Sequence, residues 1–184
     1  MMKNWYLLYC QTQKFERVVM RISSFGIPCY FPLETRICAR RDRNSKRIVE
    51  KPLFPGYLFV HFDPEIVHTT TITDIPGAHS FIRFGGMPCV VAPSVIEGFK
   101  CARLMRLDHQ DSAVECANIS SELITQISTI YEIQNSTARN VELIRLLESD
   151  SAQVELKQGK TRIYSAIPGR QSRLLDIQYP LSRL

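Results

Sequence analysis

The feature that most narrows the possible folds is the stretch Lys51-Pro52-Leu53-Phe54-Pro55-Gly56-Tyr57-Leu58-Phe59-Val60-His61-Phe62, in which two prolines and a glycine stand directly before an aromatic run. Proline lacks a backbone donor and is disfavoured inside central strands, so pairing begins after Pro55, with Gly56 easing the entry. In the strand that follows, successive side chains point to opposite faces. Tyr57, Phe59 and His61 therefore share one face, and Leu58, Val60 and Phe62 the other. Both faces are largely apolar, whereas a half-solvated strand would alternate apolar with polar, so this strand requires a cover on each side. The second cover is either another part of the chain or a partner. An ordinary buried strand behind a proline-bent loop fits the same residues.

Trp5 to Cys10 predicts a buried strand. From Lys14 to Phe25, the residues Phe15, Val18, Val19, Ile22 and Phe25 fall at helical spacing, and Gly26 stands where a helix ends. The opposite side of that helix carries Lys14, Arg17 and Arg21, a basic stripe that is commonly a solvated face. Ile27 to Leu33 predicts a second strand, leading into a long hairpin with its tip at 40–47. Glu65 to Thr71 is too polar for a core strand and predicts a short surface helix or loop. Phe81 to Phe84 predicts another strand, and Ser94-Val95-Ile96-Glu97 fits a capping box that opens a helix towards Met105 or Leu107. Short strands interleaved with helices predict an α+β domain over residues 1–100.

Beyond Gly98 the character changes. Phe99 to Gln158 is a run of sixty residues without glycine or proline, an unexpected absence for a small barrel with several tight turns. Residues 101–118 predict a linker, 119–167 a small C-terminal domain and 168–184 a tail. Leu123, Ile124, Ile127, Ile130 and Tyr131 are spaced for one helix, and Val141, Leu143, Ile144, Leu146 and Leu147 for a second after Asn135. Val154-Glu155-Leu156 and Arg162-Ile163-Tyr164 alternate like strands, so a helical hairpin and a small β-barrel remain alternatives.

Charge and chemistry restrict the function. The net charge is +5, and a balance of +5 also falls within residues 36–51, where seven basic side chains face Asp42 and Glu50. Such a loop attracts nucleic-acid phosphate or is a solvated hairpin tip. A nucleic-acid-binding module is therefore the alternative to any protein-docking function. Six cysteines have no close CxxC spacing and predict neither a zinc site nor a disulfide framework. Four scattered histidines and the lack of a phosphate-cradling glycine loop argue against an enzyme, and no cofactor is expected. Hydrophobic content of 45% without a long apolar run, and a start lacking a signal-cleavage pattern, predict a cytoplasmic monomer that does not engage membranes.

Three motifs in one order, Trp5-Tyr6-Leu7-Leu8-Tyr9-Cys10, Pro52 to Val60 and His68-Thr69-Thr70-Thr71-Ile72, resemble the N-terminal domain of NusG-family transcription elongation factors over residues 3 to about 100. The likeness is greatest to the RfaH-like specialised paralogues, including plasmid-borne relatives of ActX type. The resemblance implies binding to the clamp helices of bacterial RNA polymerase, bridging of its main channel, and reduced pausing and termination. It carries the clamp surface onto Phe54, Tyr57 and Phe59 with Ile96 at the border, and the gate-loop contact onto His68, Thr69 and Thr70. It implies contact with non-template DNA through Gln11, Gln13, Arg17 and Arg21, with Gln11, Arg21 and Ile75-Pro76 departing from the RfaH pattern. In RfaH-like proteins the C-terminal domain covers the clamp surface as an α-hairpin, then refolds into a KOW-type barrel that contacts ribosomal protein S10. Lys51 stands where those proteins have a glutamate whose ion pair holds the two domains together, so that latch is absent or rewired here. The glycine-bearing turn of the barrel is also missing.

Overall fold

The computed structural model describes residues 3–39, 46–84, 86–107, 115–116, 119–149 and 162–163. Its sheet is built around two long strands, β1 (Asn4–Cys10) and β5 (Tyr57–Phe62), paired antiparallel with Tyr9 opposite Tyr57, Leu7 opposite Phe59 and Trp5 opposite His61. β2 (Cys29–Tyr30) flanks β5, while β6 (Ala78–Phe81) and β9 (Val90–Val91) flank successive parts of β1, all antiparallel.

β5 has the two covers that its composition demands. On one side, α1 (Phe15–Ser24) lays Phe15, Val18 and Ile22 against Leu58, Val60, Phe62, Tyr6, Leu8 and Phe81. The end of α1 matches its sequence signal: Gly26 has φ +71 and its N–H donates to the Ser23 carbonyl at 2.9 Å, a left-handed stop that glycine adopts without steric cost. On the other side, Leu7, Phe54 and Phe59 join α3 (Pro93–Leu107) in a second cluster. That cluster is completed by α4 (Ser121–Glu132) and α5 (Ser136–Glu148) through Leu123, Ile124, Ile127, Leu143, Leu146 and Leu147. The cover on this side is thus an α-helical hairpin from the chain's own C-terminal part.

The hairpin forms because both helices have apolar faces and capped starts. Ser120 Oγ accepts from the Leu123 N–H at 3.2 Å, and Asn135 Oδ1 from the N–H groups of Thr137 and Ala138 at 2.8 and 3.2 Å. Within the described residues, the strand signals beyond α5 produce only β11 (Arg162–Ile163), paired with β10 (Glu115–Cys116). Residues 154–156 lie outside the described residues.

Three expectations need correction. The strand expected over Ile27–Leu33 is two strands, β2 and the start of β3 (Leu33–Ala39), because Pro28 and Pro32 supply no N–H to a ladder. β3 pairs with β4 (Lys46–Pro52) in the expected hairpin; residues 40–45 of its tip lie outside the described residues. The strand expected over Phe81–Phe84 divides at Ile82, whose N–H donates to the Leu7 carbonyl at 2.8 Å; β7 (Arg83–Phe84) then turns back onto β8 (Met87–Pro88). Ser94 is not a helix cap: α3 begins at Pro93, where a missing N–H costs nothing, and Ser94 is buried in the first turn.

Candidate functional site

The sequence places four candidate residues on the apolar sheet face. Three of them come together in one cluster: Phe54 and Phe59 meet Phe99 with ring centroids 5.3 and 6.2 Å apart, and Ile96 joins them from α3. All three are sealed, with exposures of 1%, 0% and 1%. Tyr57 differs, being partly exposed at the edge of this cluster and packed against Tyr9, 5.4 Å away. Burial, followed by the neighbouring Tyr9, pushes the Tyr57 hydroxyl above its ordinary pKa.

The seam between the hairpin and this face is held by shape and by three polar ties. Gly98 of α3 provides the close approach, since a Cβ there would lie 2.5 Å from Ile127 Cδ1, 3.9 Å from Leu123 Cγ and 4.0 Å from Ile119 Cγ2. The Tyr131 hydroxyl donates to the Phe99 carbonyl at 3.4 Å, and Asn140 Nδ2 to the Pro55 carbonyl at 3.4 Å. Arg139 Nη1 donates to Glu34 Oε2 at 2.9 Å, with the arginine side chain only 4% and the glutamate 19% exposed. Glu34 is directly opposite Lys51 in the β3–β4 ladder. The carboxylate of this ion pair therefore stands one strand away from Lys51, which carries the wrong charge to bind an arginine.

The other expected residues occupy different surfaces. His68 caps α2 (Thr69–Thr73): its Nδ1 accepts from the Thr70 N–H at 3.3 Å and lies 2.8 Å from Thr70 Oγ1. Ile72 anchors that short helix in the cluster beneath α1, leaving His68 and Thr70 exposed and Thr69 partly so. Gln13, Arg17 and Arg21 follow one another at intervals of four along the outer side of α1 and its leading turn, all exposed. The Arg21 guanidinium lies 4.8 Å from the centre of the Phe25 ring, which orients it. Gln11 is partly buried, and its N–H donates to the Gly77 carbonyl at 2.7 Å. The stripe and the hairpin-covered face thus lie on opposite sides of the sheet.

Sequence reasoning missed Glu34, Arg139, Gly98, Tyr9 and His79. Gly98 carried a signal, as a glycine inside a helical pattern. Tyr9 did too, through its alternation with Trp5 and Leu7; the ion pair spans 105 residues and carried none.

A recess of about 440 Å³ lies between Phe84, Met87, Pro88, Cys89, Val90, Ala92 and Leu147 of α5. Burial pushes the Cys89 thiol up to about 11, away from the thiolate a nucleophile requires. Among the described residues there is no cluster of three His, Cys, Asp or Glu side chains able to hold a metal, and no helix long and apolar enough to cross a membrane.

Residues 3–100 match the protein family described as "Transcription termination factor nusG". Among solved structures, "Domain interaction in Thermotoga maritima NusG" is similar at 22% sequence identity with a TM-score of 0.35. That match covers 65% of this chain and 65% of the Thermotoga maritima chain.

Proposed function

Because this chain belongs to the NusG family of transcription factors, which act with RNA polymerase, we propose that it is a specialised RfaH-like elongation and antitermination factor whose aromatic sheet face binds the polymerase clamp helices. In this reading Phe54, Tyr57 and Phe59, with Ile96 at the border, receive the clamp, and His68, Thr69 and Thr70 reach the gate loop across the channel. Bridging the two sides resists the clamp movements that accompany pausing and termination. It needs no bond-making chemistry. Gln13, Arg17 and Arg21, with Gln11 at the turn, meet the non-template DNA mainly through its phosphates.

The observation that carries this reading is the burial of Phe54, Phe59 and Ile96 beneath α4 and α5. A family domain whose apolar face is covered by its own C-terminal helices has a site that exists in closed and open forms, and polymerase and hairpin compete for it. Arg139 and Glu34 form the latch of the closed form.

Tyr57→Ala is the informative substitution, because Tyr57 is partly exposed and its truncation opens no large cavity. Phe54→Ala would remove a side chain from the core itself, at about 3–5 kcal/mol. Binding of labelled protein to bacterial core polymerase should be lost in Tyr57→Ala while its circular dichroism stays that of the parent. Undiminished binding removes the site assignment.

A further inference from the structure

The recess of about 440 Å³ beside α5 has walls from two parts of the chain: Phe84, Met87, Val90 and Ala92, among others, from the sheet domain, and Leu147 from the hairpin. Met87 is 73% and Val90 54% exposed. A single exposed apolar side chain is ordinary, but two on the rim of one apolar recess make a patch that calls for a cover.

The same chain holds an apolar segment of matching kind. Residues 173–181, Arg-Leu-Leu-Asp-Ile-Gln-Tyr-Pro-Leu, lie outside the described residues. In sequence, Leu175, Ile177, Tyr179 and Leu181 alternate with Asp176, Gln178 and Pro180, the pattern of an extended segment with one side laid on an apolar surface. Reach allows the two to meet. The recess adjoins the last turn of α5 through Leu147 and the start of α3 through Ala92. β11 ends at Ile163 and pairs with β10, which packs against α3. α3 has 15 residues and is therefore about 22 Å long, whereas residues 164–174 span about 36 Å when extended. The segment can thus arrive at the recess from any point along α3. A tether of this kind holds it there at a roughly millimolar effective concentration, so a contact too weak to retain a second copy of the chain suffices.

We propose that Leu175, Ile177 and Tyr179 of the C-terminal tail seat in this recess and strap α5 to the sheet domain. Because Leu147 is one of its walls, the complete recess exists only while the hairpin is docked. The tail therefore binds the closed form better than the open one and shifts the equilibrium towards closure by the ratio of its two affinities. The strap acts on the docked hairpin itself and does not depend on what later replaces it.

The test uses the full chain and two of its methionines. Met20 on α1 is 64% exposed, close to the 73% of Met87, so without the strap hydrogen peroxide should oxidise both at similar rates. With it, Met87 should be oxidised about tenfold more slowly than Met20, as read by mass spectrometry of timed samples. The variant Leu175→Ser/Ile177→Ser/Tyr179→Ser alters no residue of the two core clusters. It should bring Met87 to the rate of Met20 and lower the hydrogen-exchange protection of α5 about fivefold or more, while β1 and β5 keep theirs. Val90→Lys, on the rim, should uncover Met87 in the same way if the triple variant folds poorly. Gly98→Leu, which crowds Ile127 and so displaces the hairpin, should uncover it by removing the Leu147 wall. Equal oxidation of Met20 and Met87 in the parent overturns the strap. So does slow oxidation of Met87 that survives the triple variant, or that is lost on dilution, which assigns the recess to a second copy. Faster oxidation of Met87 in the triple variant with unchanged exchange in α5 makes the tail a cover without a grip and overturns the strap too.

Discussion

Replacing Gly98 with alanine separates the stability of the sheet domain from the docking of its cover. The added methyl has two effects of opposite sign on different equilibria. Within α3, alanine is preferred over glycine by about 1 kcal/mol, which favours the helix whether or not the hairpin is present. At the seam the new Cβ meets Ile127 Cδ1 at 2.5 Å, about 1 Å inside ordinary contact, and the nearest other atoms belong to Leu123 and Ile119. All three residues precede or belong to α4, so the clash falls on the docked arm. Ile127 is fully buried, so its methyl has little free space to retreat into and must change rotamer or move with its helix. Overpacking of this kind costs about 1–3 kcal/mol, corresponding to a roughly 5- to 150-fold loss in the docking equilibrium. Hydrogen exchange resolves the two effects: amides of α4 and α5 should lose protection by that factor, while those of β1 and β5 keep theirs or gain. Unchanged protection of α4 and α5 in Gly98→Ala would refute the argument that the absent side chain sets the approach of the hairpin.

Other outcomes follow from the same seam and from the buried thiols. Arg139→Met leaves Glu34 without that guanidinium, and breaking a buried pair costs up to about 3–5 kcal/mol; the exchanged pair Glu34→Arg/Arg139→Glu should recover part of the lost protection in α4 and α5, and no recovery would mean that the two side chains do not act as a pair. Cys101 is 9% exposed within the hairpin-containing cluster, so a thiol reagent should modify it faster in Gly98→Leu than in the parent, with equal rates counting against hairpin release. Cys10, fully buried on the other side of the sheet, should stay unreactive in both. Burial, followed by the charge of nearby Cys29, pushes the Cys10 thiol from 9.0 up to about 12. Between those values the unfolded chain has lost a proton that the folded one keeps, so stability falls as pH rises through this window, by at most about 1.4 kcal/mol per unit for that group. Urea unfolding of Cys10→Ala should show a shallower alkaline decline than the parent, and parallel curves would exclude the thiol as a cause.

The sequence made the sheet domain legible where one periodicity dominated. Tyr57 to Phe62 announced a strand with two apolar faces, and the spacing of Phe15, Val18 and Ile22 announced α1, because burial acts on every such position in register. Local signals failed where two of them competed. Ser94 had the residues of a capping box, but Pro93 took the first helical position and moved the start of α3 upstream. The candidate site was half legible: its aromatic members stood out by type, yet nothing local distinguished the sealed Phe59 from the open Tyr57. That difference arises from where the hairpin stops. The Glu34–Arg139 pair was invisible for a related reason, since neither residue is unusual in its own segment and only the docking of α5 on β3 makes them meet.

A sheet whose two faces carry different covers also divides its residues by the kind of constraint placed on them. Leu58, Val60 and Phe62 answer only to the packing beneath α1, so conservative exchanges of similar volume there concern folding alone. Under the proposed function, Tyr57 and Phe59, one peptide unit away, must suit two successive neighbours, the chain's own helices and the polymerase that replaces them. A change that improves the fit to one neighbour strengthens or weakens competition with the other. Alternate positions of a single strand are therefore expected to drift at different rates: the even-numbered ones in step with the core, the odd-numbered ones only when cover and partner change together.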